Sequence, residues 1–132
     1  MVVDTSALVA IMNDEPERRQ FNELIEAATA TYVSAASLLE TRIVLFARTG
    51  DSAVLALDAF LLKSGMMVME VAPRIADIAF DAYRRYGKSS GHGASLNYGD
   101  CFSYALARHL DAPLLFKGED FAKTDVRSAA EA

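Results

Sequence analysis

Four carboxylates stand where a packed chain has little ordinary use for them. Asp4 follows Met1-Val2-Val3, an apolar run that reads as a strand, so it sits at that strand's carboxyl end. Glu40 lies in Ser37-Leu-Leu-Glu-Thr-Arg-Ile-Val-Leu-Phe, where helical spacing aligns it with Ala36, Ile43, Val44 and Ala47, on an apolar face. Asp100 opens a helix, with Leu96 and Tyr104 at four-residue spacing, and Asp120 follows the last apolar run, with Glu119 beside it. A lone carboxylate in such surroundings is penalised by desolvation or takes up a proton. One divalent cation relieves all of them together. Oxygen donors with no thiolate or imidazole among them select a hard ion, Mg²⁺ or Mn²⁺. Held in this way, such an ion can acidify a bound water and act as a Lewis acid. Each acid also has a plainer reading. Asp4 and Asp120 could cap helices, Asp100 could be a first-turn acid favoured by the helix dipole, and Glu40 could pair with a buried arginine.

The elements that must position these acids are legible. Residues 1–3 form a strand, and Ser6 caps a short helix over 7–12. Asn13 or Asp14 caps a second helix over 15–28, apolar at Phe21, Leu24, Ile25 and Ala28. Thr31-Tyr-Val is a buried strand. Ser34 or Ser37 then opens a helix to Arg48 that stops at Gly50, and Ser52 opens another that ends at Gly65. Residues 66–71 form a strand, and Pro73 begins a helix reaching 86. A loop over 87–99 holds four of the seven glycines, so core packing is not its purpose. A helix over 98–110 and a buried strand at Pro113-Leu-Leu-Phe follow, and Val126 marks a possible edge strand. Short apolar strands alternating with helices argue for a parallel sheet covered on both faces, with its site beyond the carboxyl ends of the strands.

Composition narrows the function. The 132 residues are 52% hydrophobic and 23% charged, the make-up of a folded domain rather than a disordered tail. By area scaling such a chain buries about two-thirds of its surface, enough for a core without staples. The most apolar stretch, 53–72, is broken by Asp58, Lys63, Gly65 and Glu70, so no membrane span is expected. The start Met-Val-Val-Asp carries no basic leader, and the single Cys101 has no disulfide partner, so the cytoplasm is the expected compartment. His92 reads as a loop residue and His109 as a helix-surface residue. A net charge of −5 argues against nucleic acid until it is divided along the chain. Residues 1–72 hold 5 basic and 10 acidic side chains, whereas residues 73–127 hold 8 and 7. A cation among the acids would leave the second half positive. Glycine-rich nucleotide cradles, a Gly-x-Ser-x-Gly elbow and the paired acids of phosphotransfer receivers are all missing.

Four segments carry a resemblance: Val-Val-Asp-Thr-Ser-Ala-Leu-Val-Ala at the start, Ser-Ala-Ala-Ser-Leu-Leu-Glu-Thr, Asn-Tyr-Gly-Asp-Cys-Phe-Ser-Tyr-Ala-Leu-Ala, and Leu-Leu-Phe-Lys-Gly-Glu-Asp-Phe-Ala-Lys-Thr-Asp-Val. In this order and spacing they resemble PIN-domain ribonucleases, in particular the VapC toxins of bacterial VapBC toxin–antitoxin modules. The resemblance implies a three-layer α/β/α fold with a mostly parallel central sheet, a single PIN domain over 1–127 and a tail over 128–132. It further implies a Mg²⁺-dependent endoribonuclease toxin that forms homodimers, is inhibited by a VapB-type antitoxin and meets DNA only through that antitoxin. Carried over by position, Asp4, Glu40, Asp100 and Asp120 are the metal-site acids, with Asp4 and Asp100 the best direct ligands and Glu119 competing for the fourth place. Thr5 or Ser6 is expected to donate a hydroxyl hydrogen bond to a carboxylate or to a metal-bound water. Arg84, Arg85, Lys88 and Lys117, with Arg108 and Lys123, are candidates to track RNA phosphates, and Tyr86 or Tyr98 could stack a base. Arg42 could meet the antitoxin, and the helices over 38–47 and 53–62 are candidates for the dimer surface. A catalytically silent module of the same fold is the competing reading. It gains nothing from keeping acids that cost stability without a metal.

Overall fold

A computed structural model describes residues 1–131. Among them, strands β1 (Val2–Val3), β2 (Tyr32–Ser34), β3 (Met67–Met69) and β4 (Leu114–Leu115) pair in parallel in the order β3-β2-β1-β4. Successive strand residues face opposite sides of a sheet, which accounts for β1 and β4 being apolar at every position. Val2 and Leu114 enter a core with helices α5 (Pro73–Tyr86) and α6 (Tyr98–His109). Val3, Val33 and Leu115 enter a second core with α1 (Thr5–Met12), α2 (Arg18–Ala27), α3 (Ala35–Thr49) and α4 (Asp51–Ser64). The result is the expected three-layer α/β/α arrangement. The register Val2↔Leu114 and Val2↔Tyr32 brings the ends of the central strands level, so Asp4, the start of α3 and the exit of β4 meet at one edge.

Several boundaries differ from the sequence reading, each for a local reason. Asp4, not Ser6, caps α1, because its carboxylate accepts the Ser6 N–H. The second helix begins only at Arg18, since Asp14 takes a positive φ of 53° and Glu15 precedes Pro16, which disfavours helix there. Gly50, with φ of 88°, joins α3 directly to α4, so Ser52 lies inside the helix. Strand β3 is shorter than expected and forms the sheet's edge, with Met67 and Val68 exposed. Val126 forms no strand. The pairing on that side is a parallel bridge between Leu114 and Ser128, with Leu114 N–H donating to Arg127 C=O and Ala129 N–H to Leu114 C=O. Ala129 and Ala130 therefore pack against the core, and Ala132 lies outside the described residues. The glycine-rich loop closes through a bridge between Gly87 and Leu96, with Leu96 fully buried. No described helix is long and apolar enough to cross a membrane.

Candidate active site

Asp4 is buried at the end of β1, and both of its oxygens are engaged. Ser6 donates to Oδ2 through its N–H (2.9 Å) and its hydroxyl (2.7 Å), while Ser103 on α6 donates to Oδ1 at 2.6 Å. Ser37 on α3 lies 3.0 Å from Ser103 Oγ, so the first carboxylate is fixed from three helices. Ser6 also accepts the Lys117 N–H at 3.0 Å, which joins the exits of β1 and β4. Of the two hydroxyls considered from sequence, only Ser6 reaches a carboxylate. Thr5 donates instead to the Ser37 carbonyl at 3.0 Å.

Glu40, half-buried on α3, lies against the first turn of α6. A Cβ placed on Gly99 would stand 2.6 Å from Glu40 Oε2 and 2.9 Å from Oε1, so only glycine leaves the carboxylate its place. The next residue is Asp100. Its carboxylate accepts the Asn97 N–H (3.0 Å) while Asn97 Oδ1 accepts the Asp100 N–H (2.9 Å), a capping box for α6. The plainer readings of Asp4 and Asp100 as helix-terminal acids are thus realised, but they do not exhaust the geometry. Burial pushes the Asp100 carboxyl up to about 7; the Asn97 N–H opposes this, and the like charges of Asp4, Asp120 and Glu40 add to it. Four segments distant in sequence therefore share one negative field.

Asp120 is exposed on the segment after β4, and its neighbour Phe121 is buried against Phe116 with ring centroids 5.1 Å apart. Glu119 is also exposed. Among the described residues no three His, Cys, Asp or Glu side chains are arranged as a finished metal cage. The acids share a field rather than a closed coordination shell. Their chemistry nonetheless fits a hard divalent cation: every donor is a carboxylate oxygen, the Gly99 cradle admits Glu40, and positive charge would relieve the repulsion on Asp100. Cys101 is no rival ligand. Its thiol donates to Asn97 C=O, and burial followed by the Asp100 charge pushes its pKa up to about 11.

The candidate phosphate contacts separate on inspection. Lys117 is already bound by Glu15 (2.5 Å) and Glu17 (3.1 Å). Arg85 pairs with Asp81 and Asp125, and Arg108 reaches Asp125 at 4.0 Å. Arg84 lies over the Phe80 ring, and Lys88 borders a groove of about 620 Å³ between α5 and α6. The Lys123 side chain lies near Gly93. Tyr86 is core, with His92 and Tyr104 packed on its ring, so it cannot stack a base. Tyr98 is 79% exposed on the groove, one residue before Gly99. Arg42 bonds Asp58 at 3.0 Å and ties α3 to α4. Sequence reasoning missed Ser103, Gly99 and Asn97. A signal existed for Ser103, which lies three residues after Asp100 on the same helical face in an otherwise apolar run.

The family model of the PIN domain matches residues 1–127. The chain is 48% identical over 130 residues to Ribonuclease VapC30 of Mycobacterium tuberculosis, covering 98% of both chains. It is 52% identical over 130 residues to Ribonuclease VapC of Mycolicibacterium smegmatis, covering 96% of this chain and 97% of that protein. In fold it is similar to M. tuberculosis VapC20, a toxin described as cleaving the sarcin–ricin loop, with a TM-score of 0.77, 22% identity and 95% coverage of each chain. The chain belongs to the PIN-domain family, among its VapC ribonucleases. It is accordingly an endoribonuclease, a hydrolase acting as the toxin of a toxin–antitoxin module.

Proposed function

We propose that Asp4, Glu40, Asp100 and Asp120 together hold a divalent cation, Mg²⁺ with Mn²⁺ as a substitute, and that the protein uses it to hydrolyse RNA phosphodiester bonds in the cytoplasm. The observation that carries this reading is geometric: Glu40 packs on Gly99 beside Asp100, and Ser103 of the same helix holds Asp4. When bound, the cation supplies positive charge against the scissile phosphate and acidifies water. The chain's own residues do the rest. Ser6 and Ser103 hold both oxygens of Asp4, so this carboxylate needs no reorientation. Asp100, whose carboxyl burial pushes up to about 7, would join Asp4 as a donor in its carboxylate form. The first turn of α6 presents its backbone dipole to the anionic substrate. Arg84 and Lys88, which carry no ion pair among the described contacts, are placed to follow the phosphate backbone, and Tyr98 is exposed to stack an unpaired base.

Residues 1–127 make up the working domain in this reading. The module supplies an antitoxin partner, which we take to be VapB-type and to provide the only link to DNA. The active form is a homodimer, and the exposed Leu39, Ile43 and Phe46 of α3 with Leu55 and Leu62 of α4 keep those two helices as its candidate surface. The test is cleavage of total cellular RNA by antitoxin-free protein with Mg²⁺ or EDTA, with mapping of the new 5′ ends. Discrete Mg²⁺-dependent cuts that Asp4→Asn and Asp120→Asn lose, and Glu119→Gln keeps, are expected. Normal cutting by Asp4→Asn would overturn the assignment.

A further inference from the structure

Tyr104 and Asp125 form a polar pair outside the acid cluster that nothing in the reaction requires directly. We infer that they are positioning residues: a latch that fixes the segment carrying Asp120 to the helix carrying Asp100, and so sets the spacing of the cation's donors. This inference rests on the proposed four-acid site.

Tyr104 lies one helical turn after Asp100 and next to Ser103, the donor to Asp4. The residue is 2% exposed, and its hydroxyl donates to Asp125 Oδ1. Such a bond to a carboxylate is charge-assisted and directional. Burial, and then Asp125 itself, push the phenol well above its usual range, so it remains a donor at any working pH. The ion pairs of Asp125 with Arg85 (3.6 Å) and Arg108 (4.0 Å) are long and half-exposed, and such pairs fix little.

On the other side, Asp125 stands five residues after Asp120, and the chain between them is stiff. Ala122 N–H donates to Glu119 C=O (3.1 Å), and Phe121 C=O accepts from Thr124 N–H (3.0 Å) and Thr124 Oγ1 (2.8 Å). A shift at Asp125 is therefore carried to Asp120. Phe121 anchors the same segment in the core, and the Leu114 N–H bond to Arg127 C=O holds its far end to β4. The phenol bond ties the segment directly to α6, the helix that carries Asp100.

The test is Mn²⁺ titration calorimetry and thermal melting of the metal-free, full-length protein as wild type, Tyr104→Phe, Asp125→Ala, Asp125→Asn and Asp120→Asn. Tyr104→Phe keeps the ring and its packing. The expected result is at least about tenfold weaker Mn²⁺ binding for Tyr104→Phe and Asp125→Ala, as is typical when a partner behind a ligand is lost. The double variant should be no worse than either single one, and Asp125→Asn, which still accepts the phenol hydrogen bond, should stay close to wild type. Lower melting temperatures with unchanged Mn²⁺ affinity, while Asp120→Asn binds weakly, would overturn the latch alone. Unchanged affinity in Asp120→Asn as well would overturn both the latch and the four-acid site. Asp125 is partly exposed on a surface segment, so its variants keep the test open if Tyr104→Phe folds poorly.

Discussion

Gly99→Ala separates the site from the fold. Gly99 is the second residue of α6, and its φ lies outside the left-handed region, so the backbone itself accepts alanine. Alanine should favour the helix by up to about 1 kcal/mol, less at this end position than in a helix interior. The new methyl, however, would stand 2.6 Å from Glu40 Oε2, and that oxygen must retreat by about 0.8 Å to reach an ordinary contact of 3.4 Å. The clash falls on the far end of a flexible side chain, so the fold yields cheaply and Glu40 is what moves. A misplacement on the order of 1 Å typically costs a catalytic centre about 10²-fold in rate. Cleavage of a defined RNA should therefore fall by roughly that factor while the melting temperature stays level or rises by a few degrees. In a Glu40→Ala background the same substitution should cost little more. A folded Gly99→Ala protein that cuts at the wild-type rate would refute the placement of Glu40 in the working site.

Other outcomes follow from the same contacts. Asp100, raised to about 7 by burial and by the charges of Asp4, Asp120 and Glu40, keeps in the native state a proton that the unfolded chain releases near 3.8. Its contribution to the stability of metal-free protein is therefore largest at low pH and declines as pH rises through that window. Asp100→Asn should flatten the decline in melts between about pH 4 and 7 and abolish proton release on Mg²⁺ binding near pH 6; an unchanged slope would contradict the shared field. Ser103→Ala removes a buried donor from Asp4 and should destabilise the fold by roughly 1–3 kcal/mol while lowering cleavage. A variant with wild-type melting and rate would show that Asp4 is held without it. Phe121→Ala should cost about 3–5 kcal/mol by opening the core beneath Asp120, and urea unfolding would measure the loss.

Much of the fold was legible because its signals are local. Uninterrupted apolar runs marked three of the strands, Pro73 and Gly65 punctuated helices, and the alternation of strands and helices implied a parallel sheet with two covered faces. The errors were also local. Ser6 resembles a cap as much as Asp4 does, and the choice depends on which side chain turns back onto the Ser6 N–H. Val126 was read as an edge strand from its type, but pairing beside β4 follows register and falls at Ser128. Lys117 is a free cation in the sequence. It is a bound one in the fold, because Glu15 and Glu17 come from a helix junction a hundred residues away.

The sequence by itself determined the donor types and their order: oxygen side chains alone, behind apolar strands, of a kind that suits a hard cation. Those conclusions need only composition and short-range spacing, since ligand hardness belongs to each side chain and periodicity to each element. Tertiary structure decided what depends on contacts between distant segments. It placed Ser103 on Asp4 across 99 residues, set Glu40 against the bare backbone of Gly99, buried Tyr86, and joined Tyr104 to Asp125. Hydrogen bonds act over about 3 Å and in fixed directions, so which distant groups meet is settled only when the sheet register and helix packing are complete.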